Sequence, residues 1–378
     1  MLTLLIPSDS EEPHGLRRGD RYVLDDHNAA EYLRYGWGRL VDEDTHLPAG
    51  QWQAHGPANH HHVLLRSGGF GDLIALRPLL LAMRRKSASS MTNLDRVDRL
   101  AVCCHPAHAA ALDGLEGVEV LAYPPTVEDL APFHWRLSLE GAIEDHPELD
   151  SVAALARAAW PHERAEGDEW CPTYRVRSPR VLAAWLRFPA TEKKRIGIAL
   201  HSSAHCRNWP IERLAEFIQG LGSESTEVFL FGKPGPWPEL EVAAEVKHIH
   251  VLPRMNLDMR ESLALLATMD AFVGPDSGLV HAAGAMGVPT VALFGPFEAA
   301  QRVARYASVR AIQGRAPCSP CLHHPRTPEQ RWPAGKPCQQ MQHCVAMAGI
   351  TGEQVLQAVR EIWNAQAVAT ASTELDKH

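Results

Sequence analysis

Short apolar runs recur along the chain, separated by glycine-rich or polar turns. They predict β-strands at residues 62–65, 100–103, 118–121, 195–200, 228–231, 248–252, 271–273 and 290–294. Helical patterns lie between them, with helices expected from Leu73, over residues 211–221 and around residues 262–269. Because strands that alternate with helices are typical of α/β domains, the pattern predicts Rossmann-like units.

The first sixty residues follow a different pattern and predict a small α+β piece. Residues 21–24 and 39–41 are short apolar strands, and a helix that Asp25 or Asp26 could cap lies between them. Glycine and proline at residues 48–50 and 56–59 are typical of a linker.

A glycine-rich turn, RSGGFGDLIALRP at residues 66–78, follows the strand at residues 62–65. Its glycines allow a turn that side chains would block, and Asp72 stands where the helix from Leu73 is expected to begin. Asp72 is therefore either a helix cap or a catalytic group. Such a loop alone is weak support for a nucleotide site, because many Rossmann-like units contain one.

A second turn, DSGLVHAAGAMGVPTVALFGP at residues 276–296, predicts a helix N-terminus that attracts phosphate. His281 falls on the first turn of this helix, and residues 282–285 carry almost no side-chain bulk. The alternative is a helix packed tightly in an α/β core. The segments at residues 66–78 and 276–296 together place one such loop in each half of the chain. This favours two facing nucleotide-binding domains with a cleft between them.

The loop at residues 201–210 is a candidate diphosphate site. Its hydroxyls, Ser202 and Ser203, can donate to phosphate oxygens, and the Arg207 guanidinium can bind two of them at once. A solvated loop with a surface arginine is the alternative.

Three blocks of this sequence resemble the heptosyltransferase family, glycosyltransferase family 9: GFGDLIALRP, SSAHCRNWP and LALLATMDAFVGPDSGLVHAAGAMGVPTVALFGP. The resemblance covers roughly residues 62–365. It implies a GT-B fold of two Rossmann-like domains, a nucleotide-sugar donor such as ADP-heptose, and chemistry without a metal ion.

The resemblance also implies roles for individual residues. Asp72 matches the general base, and Arg207 stands where the family usually has a phosphate-binding lysine, which keeps the charge but changes its geometry. The remaining donor-binding candidates are Gly71, Ser202, Ser203, Asp276, Ser277, Gly278 and His281.

The predicted domain boundaries follow from these segments. Residues 1–58 form the appendage and linker, residues 59–190 the acceptor domain, and residues 191–349 the donor domain. Residues 350–368 form a last helix, in which Thr351 and Gln354 make a capping box, and which is expected to cross back to the first domain.

Four cysteines lie in an insertion at residues 317–349: Cys318, Cys321, Cys338 and Cys344. A pair separated by two residues, with two more downstream, is typical of a tetrathiolate zinc or iron site. His323, His324 and His343 are competing ligands, and free thiols or a disulfide are the alternatives. The spacing resembles the iron finger of protein-modifying heptosyltransferases, and the predicted role is structural, because four thiolates leave no open position.

Composition narrows the functional class. With 378 residues the chain suits two ordinary domains, and a formal net charge of −8 argues against a general nucleic-acid binder. No apolar run reaches the length of a spanning helix, and residues 1–6 are too short for a signal peptide. The eight cysteines lack framework spacing, which favours the cytoplasm.

The sequence is therefore interpreted as an inverting, metal-independent glycosyltransferase of the GT-B fold. Two alternatives stay open: a nucleotide-sugar 2-epimerase-like enzyme and a non-catalytic binding or assembly module. The sequence does not name the acceptor, which could be a glycan, a lipid or a protein, and a homo-oligomer stays open.

Overall fold

The computed structural model describes residues 2–6, 16–35, 37–42, 47, 50–86, 96–161, 164–189, 191–222, 225–232, 249–255, 257–321 and 344–375. The described residues form two compact units. One contains those up to Trp170, and the other contains those from Cys171 onward.

The first unit contains the following strands and helices: β1 Leu2–Leu5, β2 Arg21–Leu24, α1 Asp26–Arg34, β3 Arg39–Asp42, β4 Gln53–Ala54, β5 His61–Leu65, α2 Phe70–Lys86, β6 Arg99–Cys104, β7 Val118–Ala122, α3 Val127–Leu130, β8 Trp135–Ser138 and α4 Ser151–Ala159. A 3-10 helix at Pro106–Leu112 packs against α2.

The main sheet of this unit has the strand order β4-β8-β5-β6-β7. Strands β5 to β8 are parallel, and only β4 is antiparallel to its neighbour. Val63, Leu65 and Ala101 are fully buried, as expected for parallel strands covered on both faces. The strands predicted at residues 62–65, 100–103 and 118–121 are confirmed.

The N-terminal piece is an antiparallel sheet of order β2-β1-β3 that packs on α1. The predicted strands at residues 21–24 and 39–41 and the helix between them are confirmed. Strand β1 was not predicted, because its four residues carry no turn signal to separate them from an apolar leader. Val23 joins this piece to the main domain by donating its N–H to the carbonyl of Pro125 at 2.9 Å.

The second unit contains the following strands and helices: α5 Ser178–Arg187, β9 Lys194–Ala199, α6 Ile211–Leu221, β10 Thr226–Phe231, β11 Ile249–Val251, α7 Met259–Leu266, β12 Ala271–Pro275, α8 Gly278–Met286, β13 Thr290–Phe294, α9 Ala299–Val303, β14 Val309–Gln313, α10 Val345–Ala348 and α11 Gly352–Leu375.

Its sheet has the order β11-β10-β9-β12-β13-β14, and every pairing in it is parallel. Helix α11 packs against α6 and buries Val355 and Val359 in the core of this unit. Its predicted capping box is confirmed, because Thr351 N–H donates to Gln354 at 2.9 Å and Gln354 N–H donates to Thr351 at 3.2 Å. The predicted crossing of this helix to the first domain and the domain boundaries stay predictions.

Among the helices in the described residues, none is long and apolar enough to cross a membrane.

Candidate functional site

After the glycine-rich turn of the first unit, the helix begins earlier than the sequence predicts. Helix α2 begins at Phe70, so the expected start at Leu73 was wrong, and Asp72 lies inside the first turn. Its carboxylate reaches back and accepts the N–H of Gly69 at 3.1 Å. An acidic residue in the first turn satisfies a free N–H at the helix start in this way, and the sequence pattern alone does not separate this role from that of the cap residue.

Asp72 shares a buried cation with a second carboxylate. The Arg66 guanidinium lies 3.3 Å from the Asp72 carboxylate and 3.6 Å from that of Glu140, and it donates to the Leu139 carbonyl at 3.0 Å. Burial by itself would lower the pKa of Arg66, but the attraction of Asp72 and Glu140 outweighs it and raises that pKa. Arg66 therefore stays charged and holds Asp72 in place.

Glu140 is held by the backbone of the same turn, because the N–H of Ser67 donates to its carboxylate. Its pKa is raised chiefly by burial, although Arg66 opposes the shift. A side chain at residue 68 would displace the Arg66–Asp72 pair. A Cβ at Gly68 would lie 2.7 Å from both the Arg66 side chain and the Asp72 carboxylate. Glycine is thus required for this arrangement.

The second unit places a buried carboxylate among three basic side chains. Asp276 is 2% exposed, and its carboxylate lies 3.1 Å from Arg207, 3.4 Å from His281 and 3.7 Å from Arg302. Burial by itself would raise the pKa of Asp276, but Arg302, His281 and Arg207 together lower it well below its ordinary range. Asp276 is therefore an anion that orients Arg207, Arg302 and the His281 ring.

His281 lies in the interior of this cluster. Its Nε2 faces Asp276, and its Nδ1 lies 3.1 Å from the hydroxyl of Tyr306. The ring meets that of Tyr306 edge to face, with the centroids 5.7 Å apart. Both ring nitrogens are thus engaged within the protein, and a direct contact of His281 with the donor stays a prediction.

Arg207 joins the 201–210 loop to Asp276. One guanidinium nitrogen donates to Asp276 at 3.1 Å and another donates to the Ser203 hydroxyl at 2.8 Å. Its Nε is buried and has no hydrogen-bond partner among the described residues. Ser203 accepts from Arg207, so its own proton remains available to a ligand oxygen.

Ser202 is placed differently from the prediction that its hydroxyl donates to phosphate. The hydroxyl donates to the Ala204 carbonyl at 2.8 Å, and the Ser202 N–H donates to the side chain of Asn208 at 2.8 Å. In this arrangement the single proton of the Ser202 hydroxyl is used in a hydrogen bond within the loop. A contact of Ser202 with phosphate stays a prediction.

Helix α8 begins at Gly278, and Ser277 directly precedes it. Ser277 does not cap the helix with its side chain, and its buried hydroxyl oxygen has no hydrogen-bond partner among the described residues. A polar atom that is buried without a partner is costly, so this hydroxyl fits a ligand oxygen at the helix N-terminus.

Sequence reasoning missed Arg66, Glu140, Arg302 and Tyr306. Arg66 stood inside the glycine-rich block, so its place at the end of a strand was a usable signal. The others are distant in sequence from the residues they contact, and nothing in their local pattern marks them.

The cysteine prediction is only partly within the described residues, because Cys338 lies outside them. Cys318 is exposed, and Cys321 and Cys344 are half-buried. Within the described ranges no group of three or more His, Cys, Asp and Glu side chains could hold a metal ion. The four-cysteine site therefore stays a prediction.

Comparison with known proteins identifies the family. The sequence model of glycosyltransferase family 9 (heptosyltransferase) matches residues 141–331, about half of the chain. The chain therefore belongs to this family. The match contains the loop at residues 201–210 and the segment at residues 276–296, whereas the glycine-rich turn that carries Asp72 lies outside it.

A curated relative is lipopolysaccharide heptosyltransferase 1 of Pseudomonas aeruginosa. It is 38% identical over 123 residues, which cover 31% of this chain and 33% of the relative. The chain thus spans about a third of the length of this relative.

Two solved structures are similar in fold. E. coli ADP-heptose LPS heptosyltransferase II matches with a TM-score of 0.54 and 14% identity, over 81% of this chain and 99% of that chain. The dodecameric iron-containing heptosyltransferase TibC, solved with ADP-D-beta-D-heptose, matches with a TM-score of 0.55 and 15% identity, over 80% of this chain and 76% of that chain. These likenesses confirm the predicted α/β GT-B fold class.

Proposed function

We propose that this chain is an inverting, metal-independent glycosyltransferase that transfers heptose from ADP-heptose to an acceptor hydroxyl. The buried Asp276 cluster at the N-terminus of α8, formed by Asp276, Arg207, His281 and Arg302, supports this function. The Arg207 and Arg302 guanidinium groups supply fixed positive charge, and the buried Arg207 Nε and Ser277 hydroxyl have no hydrogen-bond partner among the described residues. These groups suit a diphosphate that leaves with negative charge.

The donor diphosphate is assigned to Arg207, Ser203, Ser277 and the backbone N–H groups at Gly278. Arg207 is oriented by Asp276, so its charge is in place before the donor binds and no side chain must be ordered during the reaction. Arg302 acts as a positioning residue in this assignment, because it contacts Asp276. His281 also contacts Asp276, and its predicted contact with the donor belongs to the same proposal.

Asp72 is assigned as the general base. In the proposed single displacement, the acceptor oxygen forms a bond to the anomeric carbon while the bond from that carbon to the diphosphate oxygen breaks. The electron pair leaves with ADP, and the acceptor proton moves to Asp72. Arg66 and the Gly69 N–H fix the carboxylate for this step. No metal ion is required, since Arg207 and the helix N-terminus supply positive charge.

A thermal-shift series with ADP, UDP, GDP and ADP-heptose tests the donor assignment. We expect ADP and ADP-heptose to raise the melting temperature, because a ligand at a hundred times its Kd adds about 2.7 kcal/mol of stability. Stabilisation by UDP alone would contradict ADP-heptose as the donor and indicate a UDP-sugar. No stabilisation by any nucleoside diphosphate would contradict a nucleotide-sugar site.

We expect Arg207→Ala to weaken ADP binding by roughly 1.5–3 kcal/mol, the range for a charged hydrogen bond, or about 10- to 150-fold in Kd. Calorimetry measures this change. The control is Arg213→Ala on α6, where the arginine pairs with Glu216 near the surface. Unchanged ADP affinity in Arg207→Ala would make Arg207 a structural residue.

We also propose that Cys318, Cys321, Cys338 and Cys344 hold one structural zinc or iron ion. Soft thiolates suit both metals, and residues 318–321 and 344 stand on either side of the segment that contains Cys338. When bound, the ion would cross-link the insertion and take no part in the transfer step.

Elemental analysis of protein purified without added metal should find about one equivalent per chain. Cys321→Ser should lower the metal content and the melting temperature together, whereas Cys171→Ser, which removes a half-buried cysteine outside the group, should change neither. Four titratable thiols at these positions in metal-free protein would contradict the proposal.

The acceptor and the location complete the proposal. A glycan, lipid or protein hydroxyl fits the chemistry, and we place the reaction in the cytoplasm, where thiols stay reduced. Whether the chain forms a homo-oligomer is open to measurement by light scattering.

A further inference from the structure

Helix α5, Ser178–Arg187, exposes large apolar side chains to solvent. Leu186 is 74% exposed, Leu182 is 61% exposed and Trp185 is 45% exposed, and no residue of the helix is buried. Leu182 and Leu186 are one turn apart, so they project from the same side of the helix. Exposed apolar residues that adjoin each other in this way mark an interaction surface more often than scattered single ones.

The helix is nevertheless attached to its unit. It packs against α7, and its half-buried residues Val181 and Ala184 lie on a different side from the two leucines. Arg195 anchors the end of the helix by donating to the carbonyls of Phe188 and Pro189. The helix is therefore held by the rest of its unit while its leucine side stays exposed to solvent.

The chain segment that contains the helix carries only positive charges. Arg175, Arg177, Arg180 and Arg187 are all exposed, and no Asp or Glu occurs from residue 170 to residue 191. None of the four arginines forms an ion pair with a described residue. This concentration stands out in a chain whose formal net charge is −8.

We infer that this α5 surface, the two leucines with Trp185 and the four arginines, docks on an anionic lipid bilayer. Helices that lie in a membrane interface combine leucine and tryptophan on one side with arginine on the other, and each arginine near the surface adds attraction to anionic lipid. The inference is independent of the proposed transfer reaction.

A second copy of the chain is the competing occupant, and the charge argues against it. In a twofold interface the same patch meets itself, so the four arginines of one copy would face those of the other. No carboxylate in residues 170–191 is available to neutralise them. A bilayer rich in anionic headgroups has the opposite charge and needs no such partner.

Vesicle co-sedimentation tests the inference on the full chain. We expect vesicles of phosphatidylcholine with about one third phosphatidylglycerol to bind several-fold more protein than phosphatidylcholine alone. Binding should fall at about 0.5 M salt, where charges are screened over a few ångströms. Equal binding to both vesicles, or to neither, would overturn the inference.

Matched variants locate the binding surface. The paired change Leu182→Gln and Leu186→Gln should abolish most vesicle binding, and Arg180→Gln with Arg187→Gln should reduce it and weaken its salt dependence. The control is Leu40→Gln with Val41→Gln, an exposed apolar pair on β3. Far-UV circular dichroism checks that each variant folds.

Equal losses in the α5 variants and the β3 control would overturn the assignment to α5. Light scattering tests the remaining outcome, which is self-association through the α5 surface. A concentration-dependent dimer that the leucine changes dissociate would assign the surface to a second copy and overturn the lipid inference.

Discussion

We expect Asp72→Asn to lower the rate of sugar transfer roughly 10²–10⁴-fold, the range for loss of a general base. Asparagine keeps an oxygen that can accept the Gly69 N–H, so the helix start should hold, and the unfolding free energy should fall by about 1 kcal/mol or less. Arg66 would not be left as a lone buried charge, because Glu140 lies 3.6 Å from it. Steady-state kinetics and denaturant unfolding measure the two effects.

The control for this change is Asp150→Asn in the same unit. Asp150 caps α4 by accepting the N–H groups of Val152 and Ala153 at 3.0 Å, and it has no assigned part in catalysis. It should keep the turnover of the unchanged protein. Near-normal transfer by Asp72→Asn would leave Asp72 as a structural residue, and the base would have to be sought among other groups.

Asp276→Asn should destabilise the second unit by about 3–5 kcal/mol, the usual cost of removing one partner from a buried ion pair. The change leaves Arg207, His281 and Arg302 without their common carboxylate. ADP binding should fall as well, since Arg207 loses its orientation. Urea unfolding measures the stability, and calorimetry measures the affinity.

The control is Asp270→Asn, where the carboxylate pairs with Lys194 near the surface. It should change stability by about 1 kcal/mol or less. Equal stability of Asp276→Asn and the unchanged protein would show that the Asp276 cluster contributes little to the fold.

The pH dependence of stability follows from the same carboxylate. Folding lowers the pKa of Asp276 below its ordinary value of 3.8, so the folded state gains stability from its charge above that pH. This contribution should be lost progressively as the pH falls below about 4, and Asp276→Asn should show a flatter profile in that range.

The elements of the fold could be predicted where the local pattern decides them. Strands β5, β9, β12 and β13 each contain a short apolar run followed by a glycine or polar turn, so their place in a parallel sheet follows from burial on both faces. The start of α2 could not be fixed, because an aspartate can accept a backbone N–H from the cap position or from inside the first turn.

The candidate site could be predicted only in part, for a physical reason. The chemical type of Asp72, Arg207 and Asp276 is visible in the sequence, but which charge each one meets depends on the folded chain. Glu140 stands 74 positions after Arg66, and Arg302 stands 26 positions after Asp276. Such pairings are set by the sheet and the loops that end at its edge.

Release of ADP from ADP-heptose decides whether this chain binds and cleaves the proposed donor. The purified protein should hydrolyse ADP-heptose slowly without an acceptor and faster than a UDP-sugar at the same concentration, and Asp276→Asn should release little ADP. Release from the UDP-sugar but not from ADP-heptose would contradict the donor assignment. Release from neither donor, together with no binding of ADP, would contradict the account of this chain as a heptosyltransferase.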